Sequence, residues 1–171
     1  MKIESPGYTM SDLYVFLDEI QDHDRILLAD RLERASARLA QLGPRVVAGS
    51  GDGEWSDHEL LAHIAVLSKF YGVLVHRISS GKMTELNLLE NVGLRDVAGE
   101  QMAQIEPAEL LKAALADQAR TLELLRSAAP SSLRRAAKLE DGRMMTADEV
   151  ARLPLISHLE MHVDQLEKAL G

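Results

Sequence analysis

Between Ser11 and Leu42 apolar side chains return at three- and four-residue steps: Phe16, Leu17, Ile20, Leu27, Leu28, Leu32, Ala35 and Leu39. That period predicts a helix with one apolar face, and Gly43-Pro44 stops it. The polar cluster Asp22-His23-Asp24 marks a place where the helix can break. Val47 to Gly53 holds three glycines and reads as loop. A second helix starts at Ser56, a natural N-cap, with Glu59 three residues on to complete a capping box and Trp55 just before it. Its stripe is Leu60, Ile64, Leu67, Tyr71, Leu74 and Ile78, and Gly81 ends it. Residues 82–106 are only partly apolar and are interrupted by Gly93 and Gly99, with room for a short helix.

Pro107 suits the first turn of a third helix, which runs through Leu110, Leu111, Ala114, Leu115, Leu122 and Leu125 to Pro130. Residues 131–145 read as connecting chain. Thr146 opens a fourth helix with Glu149 closing another capping box, and Pro154 should kink or restart it. Its regular part is Leu155 to Leu170. No run reads as a strand. The expectation is an all-α four-helix bundle forming a single domain over residues 1–171.

Composition narrows the function. Aromatics are 4% and cysteine is absent, which favours helix and excludes disulfides, thiolate metal sites and cysteine nucleophiles. A formal net charge of -8 repels a phosphate backbone. The basic run Arg31, Arg34 and Arg38 is interleaved with Asp30 and Glu33 and reads as a solvated face, so no nucleic-acid partner is expected. MKIESPGYTM lacks the apolar core of a signal peptide, and no apolar run approaches a membrane span. A cytoplasmic protein without a membrane partner follows.

The six histidines are sorted by the helical period. His63 falls on the stripe with Leu60, Leu67, Phe70 and Leu74, whereas His58 and His76 fall roughly opposite and should face water. His158 and His162, four apart, project from one face beside Leu155, Leu159 and Leu166. His23 reads as a partly exposed residue at the break. A lone inward histidine is usually a hydrogen-bonded core residue, but two imidazoles buried one turn apart need compensation that a metal supplies directly. His63 lies roughly 10 Å into its helix and His162 roughly 13 Å from the end of its own. Those depths match only if the second and fourth helices run antiparallel. An up-down-down-up bundle does this, with residues 81–106 as a long crossover between helices 2 and 3.

The run GEWSDHELLAHIAVLSKFYG resembles the second helix of the DinB-like superfamily, and LISHLEMHVDQL resembles its closing helix. The resemblance implies metal ligands at His63, His158 and His162, a bundle with a crossover, and frequent homodimers. Some members, maleylpyruvate isomerase among them, use mycothiol, bacillithiol or another low-molecular-weight thiol in S-transfer or isomerisation. Relatives that bind mycothiol often have Glu at the position matching His158.

Three neutral imidazoles leave an ion with open positions, as catalytic sites require. Zinc, nickel, iron or cobalt would suit such ligands. The ion would lower the pKa of a bound water or incoming thiol and activate it toward a small-molecule substrate. Glu59 and Gln165 are candidates for outer contacts, although Glu59 already has a capping role. The leading expectation is therefore a metal-dependent thiol S-transferase or hydrolase. Against it stand a bundle that binds metal for stability, stress sensing or partner contact, and a metal-free helical dimer whose histidines merely pack.

Overall fold

Helix α1 (Met10–Leu42) begins where Thr9 and Asp12 close a capping box, and it runs unbroken through Asp22-His23-Asp24. The computed structural model describes residue 7 and residues 9–51 and 54–171, the side chains of 95–97 excepted. Most of the amino-terminal run MKIESPGYTM, and two residues of the glycine loop, lie outside the described residues. The expected capping boxes are present: Ser56 with Glu59 opens α2 (Asp57–Ser79), and Thr146 with Glu149 opens the closing helical segment. The crossover contains α3 (Leu88–Met102), longer than the expected short helix. Helix α4 (Pro107–Ser127) starts on its proline, and the four-residue turn α5 (Pro130–Leu133) follows.

The expectation for the connection after α4 is overturned. Residues 131–145, read as connecting chain, carry two strands, β2 (Ala136–Leu139) and β3 (Met144–Thr146). They pair antiparallel, Ala137 opposite Met145, and β2 also pairs in parallel with β1 (Glu85–Leu86). Gly142 turns the hairpin at φ 85°, a backbone conformation that glycine adopts without a Cβ clash. The carboxylate of Glu140 then accepts from the amides of Leu88 and Leu89, and Asn87 accepts from Glu90, so the hairpin and the cap hold the start of α3.

The closing segment is one continuous spiral in three parts: α6 (Ala147–Val150), a π-helical stretch Ala151–Ser157, and α7 (His158–Leu170). Pro154 explains the middle part. It has no amide hydrogen and its ring crowds the preceding turn, so the α-helical ladder cannot pass it unchanged. The amide of His158 donates instead to Leu153, five residues back.

Polar contacts give the direction of each helix pair. From Ser157 and Glu160 to Glu167, partners on α1 rise from Arg31 to Arg38, so α1 and α7 run parallel. Gln118 bonds Ser68, and Thr121 lies against Gly72, so α2 and α4 also run parallel. Gly43 meets Leu111 while Glu33 pairs with Arg126, which makes α1 and α4 antiparallel. Along α2, Trp55 and Leu60 share a cavity wall with Gln165, whereas Leu74 shares one with Val150 and Pro154; α2 and α7 are antiparallel. Helix α2 lies among the others and contributes Leu61, Ile64, Leu67, Val75 and Ile78 to the core, each completely buried. By length and composition this helix is apolar enough to cross a membrane, contrary to the expectation that none would approach it. Its apolarity here serves the core, since most of it is covered by protein.

The apolar stripe expected on α1 divides in two. Leu28, Leu32, Ala35 and Leu39 are buried, but Phe16, Ile20 and Leu27 are about half exposed, at 56%, 46% and 47%. The inward face of that first half is polar: Asp18 pairs with Arg134, Gln21 donates to Asp148, and Asp24 pairs with Arg152. Ion pairs rather than burial attach this half, and its apolar side is turned outward.

Candidate metal centre

His63 comes from the second turn of α2, and His158 and His162 from successive turns of α7. Antiparallel packing brings these depths level. One ligand nitrogen from each ring lies within 4.8 Å of the others, and among the described residues the cluster comprises these three alone. Nε2 of His63 is 3.4 Å from Nε2 of His158. Nitrogens bound to one tetrahedral zinc ion stand roughly 3.3–3.4 Å apart, so this pair already has a shared-ion spacing.

The opposite ring edges are held. His162 Nδ1–H donates to Gln165 Oε1 at 2.7 Å, and His158 Nδ1–H donates to the Pro154 carbonyl at 3.2 Å. Each bond fixes a tautomer whose Nε2 lone pair faces the cluster, the outer arrangement that metal-bound imidazoles use. Trp55 lies edge-on to His63 at 4.8 Å between ring centroids and stacked with His162 at 6.0 Å. Tyr71 stands 6.5 Å from His158 on the other side.

Whether a cation suits these residues turns on His162. Its Nε2 is buried without a hydrogen-bond partner. An unsatisfied buried polar atom costs about 1–3 kcal/mol, and a cation held at the cluster would satisfy it. Burial pushes the His162 pKa below its ordinary 6.5; the Gln165 bond opposes that shift and His158 adds to it. The ring is therefore neutral near pH 7, as ligation requires. The three histidines could hold a metal ion.

Other candidates are placed differently. Glu59 is exposed and accepts from the amide of Ser56, so it completes the cap and does not join the histidines. Gln165 does join them, through His162. His76 is exposed as expected, and so is His23, on an intact helix instead of at a break. His58 is the exception: it does not simply face water. Its Nδ1 accepts from Gly49 N–H, and its Nε2–H donates to the Ile105 carbonyl at 2.7 Å, which ties the loop before α2 to the turn before α4. Nothing in the residue pattern pointed to the Pro154 carbonyl. Trp55 was visible as the residue before a cap and within the run GEWSDHELLAHIAVLSKFYG, but not as a ring against His63 and His162.

Together these features define a helical fold with a three-histidine cluster between its antiparallel second and closing helices. Among solved structures, the mycothiol-dependent maleylpyruvate isomerase superposes with a TM-score of 0.65 at 16% identity, over 88% of this chain and 62% of that one. A histidine-to-alanine mutant of the same isomerase superposes equally well. The chain thus spans less than two thirds of that isomerase's length. No protein-family model matches the chain, and no curated protein matches its sequence.

Proposed function

We propose that the chain is a metal-dependent enzyme that holds one divalent transition-metal ion on His63, His158 and His162. It would direct a low-molecular-weight thiol or water onto a small-molecule electrophile, in transfer, isomerisation or hydrolysis. The observation that carries this reading is the buried Nε2 of His162, which lacks a partner inside a cluster of imidazole nitrogens. Zinc, nickel or iron suits nitrogen ligands, and such an ion lowers the pKa of a bound water or thiol toward neutrality. The chain's own residues supply the setting. Gln165 and Pro154 orient the rings, Trp55 covers one side, and among the described residues no carboxylate or further histidine joins the three-histidine group. With no cysteine in the chain, any thiol comes from outside, as in the thiol-dependent isomerase that shares the fold.

The frame is, in our reading, a single-domain up-down-down-up four-helix bundle, which the pairwise helix directions support. A net charge of -8 speaks against a nucleic-acid partner, and the burial of α2 against a membrane one. The apolar outer side of α1 supports homodimerisation. A cytoplasmic location fits a thiol-dependent activity.

The test is elemental analysis of protein purified without chelator, with about one transition-metal ion per chain expected. His158→Ala and His162→Ala should each abolish stoichiometric uptake, while His76→Ala, at an exposed position, should not. Full binding by the double variant at 158 and 162 would refute the site.

A further inference from the structure

The loop that precedes α2 is folded back onto the start of that helix. The amide of Asp57 donates to the Ser50 carbonyl at 2.8 Å. Gly51, at φ 113°, passes so close that a Cβ there would stand 2.7 Å from the Asp57 nitrogen. This fold sets Glu54 and Trp55 beside the histidine cluster. With Asp57, Leu60, His162 and Gln165 they line a cavity of 410 Å³, in the range of small-molecule sites. The cavity leads to the cluster: His162, only 6% exposed, forms part of its wall, and the Nε2 of that ring has no hydrogen-bond partner. Two of the lining side chains are carboxylates, and the sequence from Gly51 to Asp57 contains three acids and no base. An acid in the first turn of a helix answers the helix dipole, which accounts for Asp57. It does not account for Glu54, which lies before the cap and next to an indole ring that is 46% exposed.

Resting on the metal-centre reading above, we infer that this cavity seats a positively charged amine carried by the incoming thiol. Carboxylates beside an indole face are the groups that recognise an organic ammonium ion: the acids attract its charge, and the ring attracts it through the quadrupole of the π-system. The charge at the cluster leads to the same class. Three neutral imidazoles leave a divalent ion with its full charge, and one thiolate would cancel half of it. Glu54 and Asp57 more than offset the remainder, so a single cationic group balances the site. A thiol bearing a carboxylate would instead bring a further negative charge into a space that already holds two, and like charges so placed repel. The thiol reaches the cluster along the Trp55 side with its ammonium group between Trp55 and the two acids.

Two binding experiments on the full chain separate this inference from the metal reading. In the first, chelator-treated protein is titrated with choline and with its uncharged carbon isostere, neohexanol, read by calorimetry and by the emission of Trp55, the chain's single tryptophan. Choline should bind at one site per chain, about tenfold more tightly than neohexanol, and should change the Trp55 emission. In the second, cobalt-loaded protein is titrated with thiocholine, neohexanethiol and mercaptopropionate, read by the sulfur-to-cobalt charge-transfer band. Thiocholine should bind most tightly and mercaptopropionate most weakly. Thiol acidity differs among the three, but it belongs to the ligand and cancels when parent and variant are compared. Glu54→Gln, at an exposed position and so compatible with folding, should cut the preference for the cation about threefold in both series, and Glu54→Lys should abolish it. Choline that binds no better than neohexanol, or a cation preference that both variants leave unchanged, would overturn the inference with the metal reading intact. Choline binding as described, with no charge-transfer band from any thiol, would retain the cation site and retire the reading in which the ion takes a thiol.

Discussion

Replacing Gln165 by Leu tests whether the outer contacts of the histidine cluster matter to the ion. The exchange keeps side-chain size and helix propensity nearly constant and removes one acceptor, the Oε1 at 2.7 Å from His162 Nδ1. Loss of such an outer partner typically weakens metal affinity 10- to 100-fold. Gln165 itself is exposed, so water can take its place against Nδ1, and the lower end applies: about tenfold, or roughly 1.4 kcal/mol. Gln165→Glu changes the acceptor to a charged one, roughly twice as strong, and should tighten binding. The assay is competition for zinc against a chromophoric chelator at pH 7.5, with unfolding midpoints of the metal-free proteins as a control for folding. Glu59→Ala is the contrast. It should cost about 1 kcal/mol of stability through the lost cap partner and leave affinity unchanged. A leucine variant that binds zinc like the parent, or a glutamate variant that binds it more weakly, would refute the role given to Gln165.

Acid should destabilise the metal-free protein through His162. Its folded pKa lies below the ordinary 6.5, so the unfolded chain takes up a proton that the folded one refuses, and stability falls as pH drops below about 6.5. Thermal midpoints of chelator-treated protein from pH 8 to 5.5 should show that fall, and His162→Asn should reduce it. Gly72→Ala should destabilise by about 1 kcal/mol in urea titrations: the new Cβ would sit 2.6 Å from Thr121 Oγ1 between α2 and α4, and that overpacking outweighs the gain in helix propensity. Light scattering should give twice the 18.9 kDa chain mass, and Phe16→Glu on the outer side of α1 should return it to the single-chain value. A single-chain mass for the parent at micromolar concentration would set the homodimer aside.

The parts of the fold that were legible in the sequence are those fixed by local chemistry. The capping boxes at Ser56 and Thr146 are satisfied within three residues, so they mark helix starts whatever surrounds them. The histidine positions were legible for a related reason: periodicity fixes the face, and matching depth fixes the direction in which two helices must run. Periodicity does not say what each face meets. Phe16, Ile20 and Leu27 keep helical spacing with Leu28 and Leu32, yet only the latter two reach the core, because Arg134, Asp148 and Arg152 meet the first half of α1 with charge. The hairpin was missed because its strands are too short to alternate clearly, although Asp141-Gly142 is a common turn pair. His58 was misjudged because its partners lie in two loops, where spacing carries no information.

The π-helical stretch has a consequence for how this protein can change. On a plain α-helix at about 100° per residue, the inward residues up to its first position, Ala147, Val150 and Ala151, and those from Leu155 onward, Leu155, Leu159, Val163 and Leu166, would point roughly a third of a turn apart. The wider turns at 151–157 absorb that difference, so both groups are buried and His158 and His162 emerge on the same side. What this stretch cannot change is its length. Deleting one residue would leave two well-formed helical pieces out of phase, one burying its apolar face and the other turning its histidines to water. Length polymorphism should therefore be absent here while it is tolerated in the loop before α2, and any shortened variant should lose its metal before it loses its helicity.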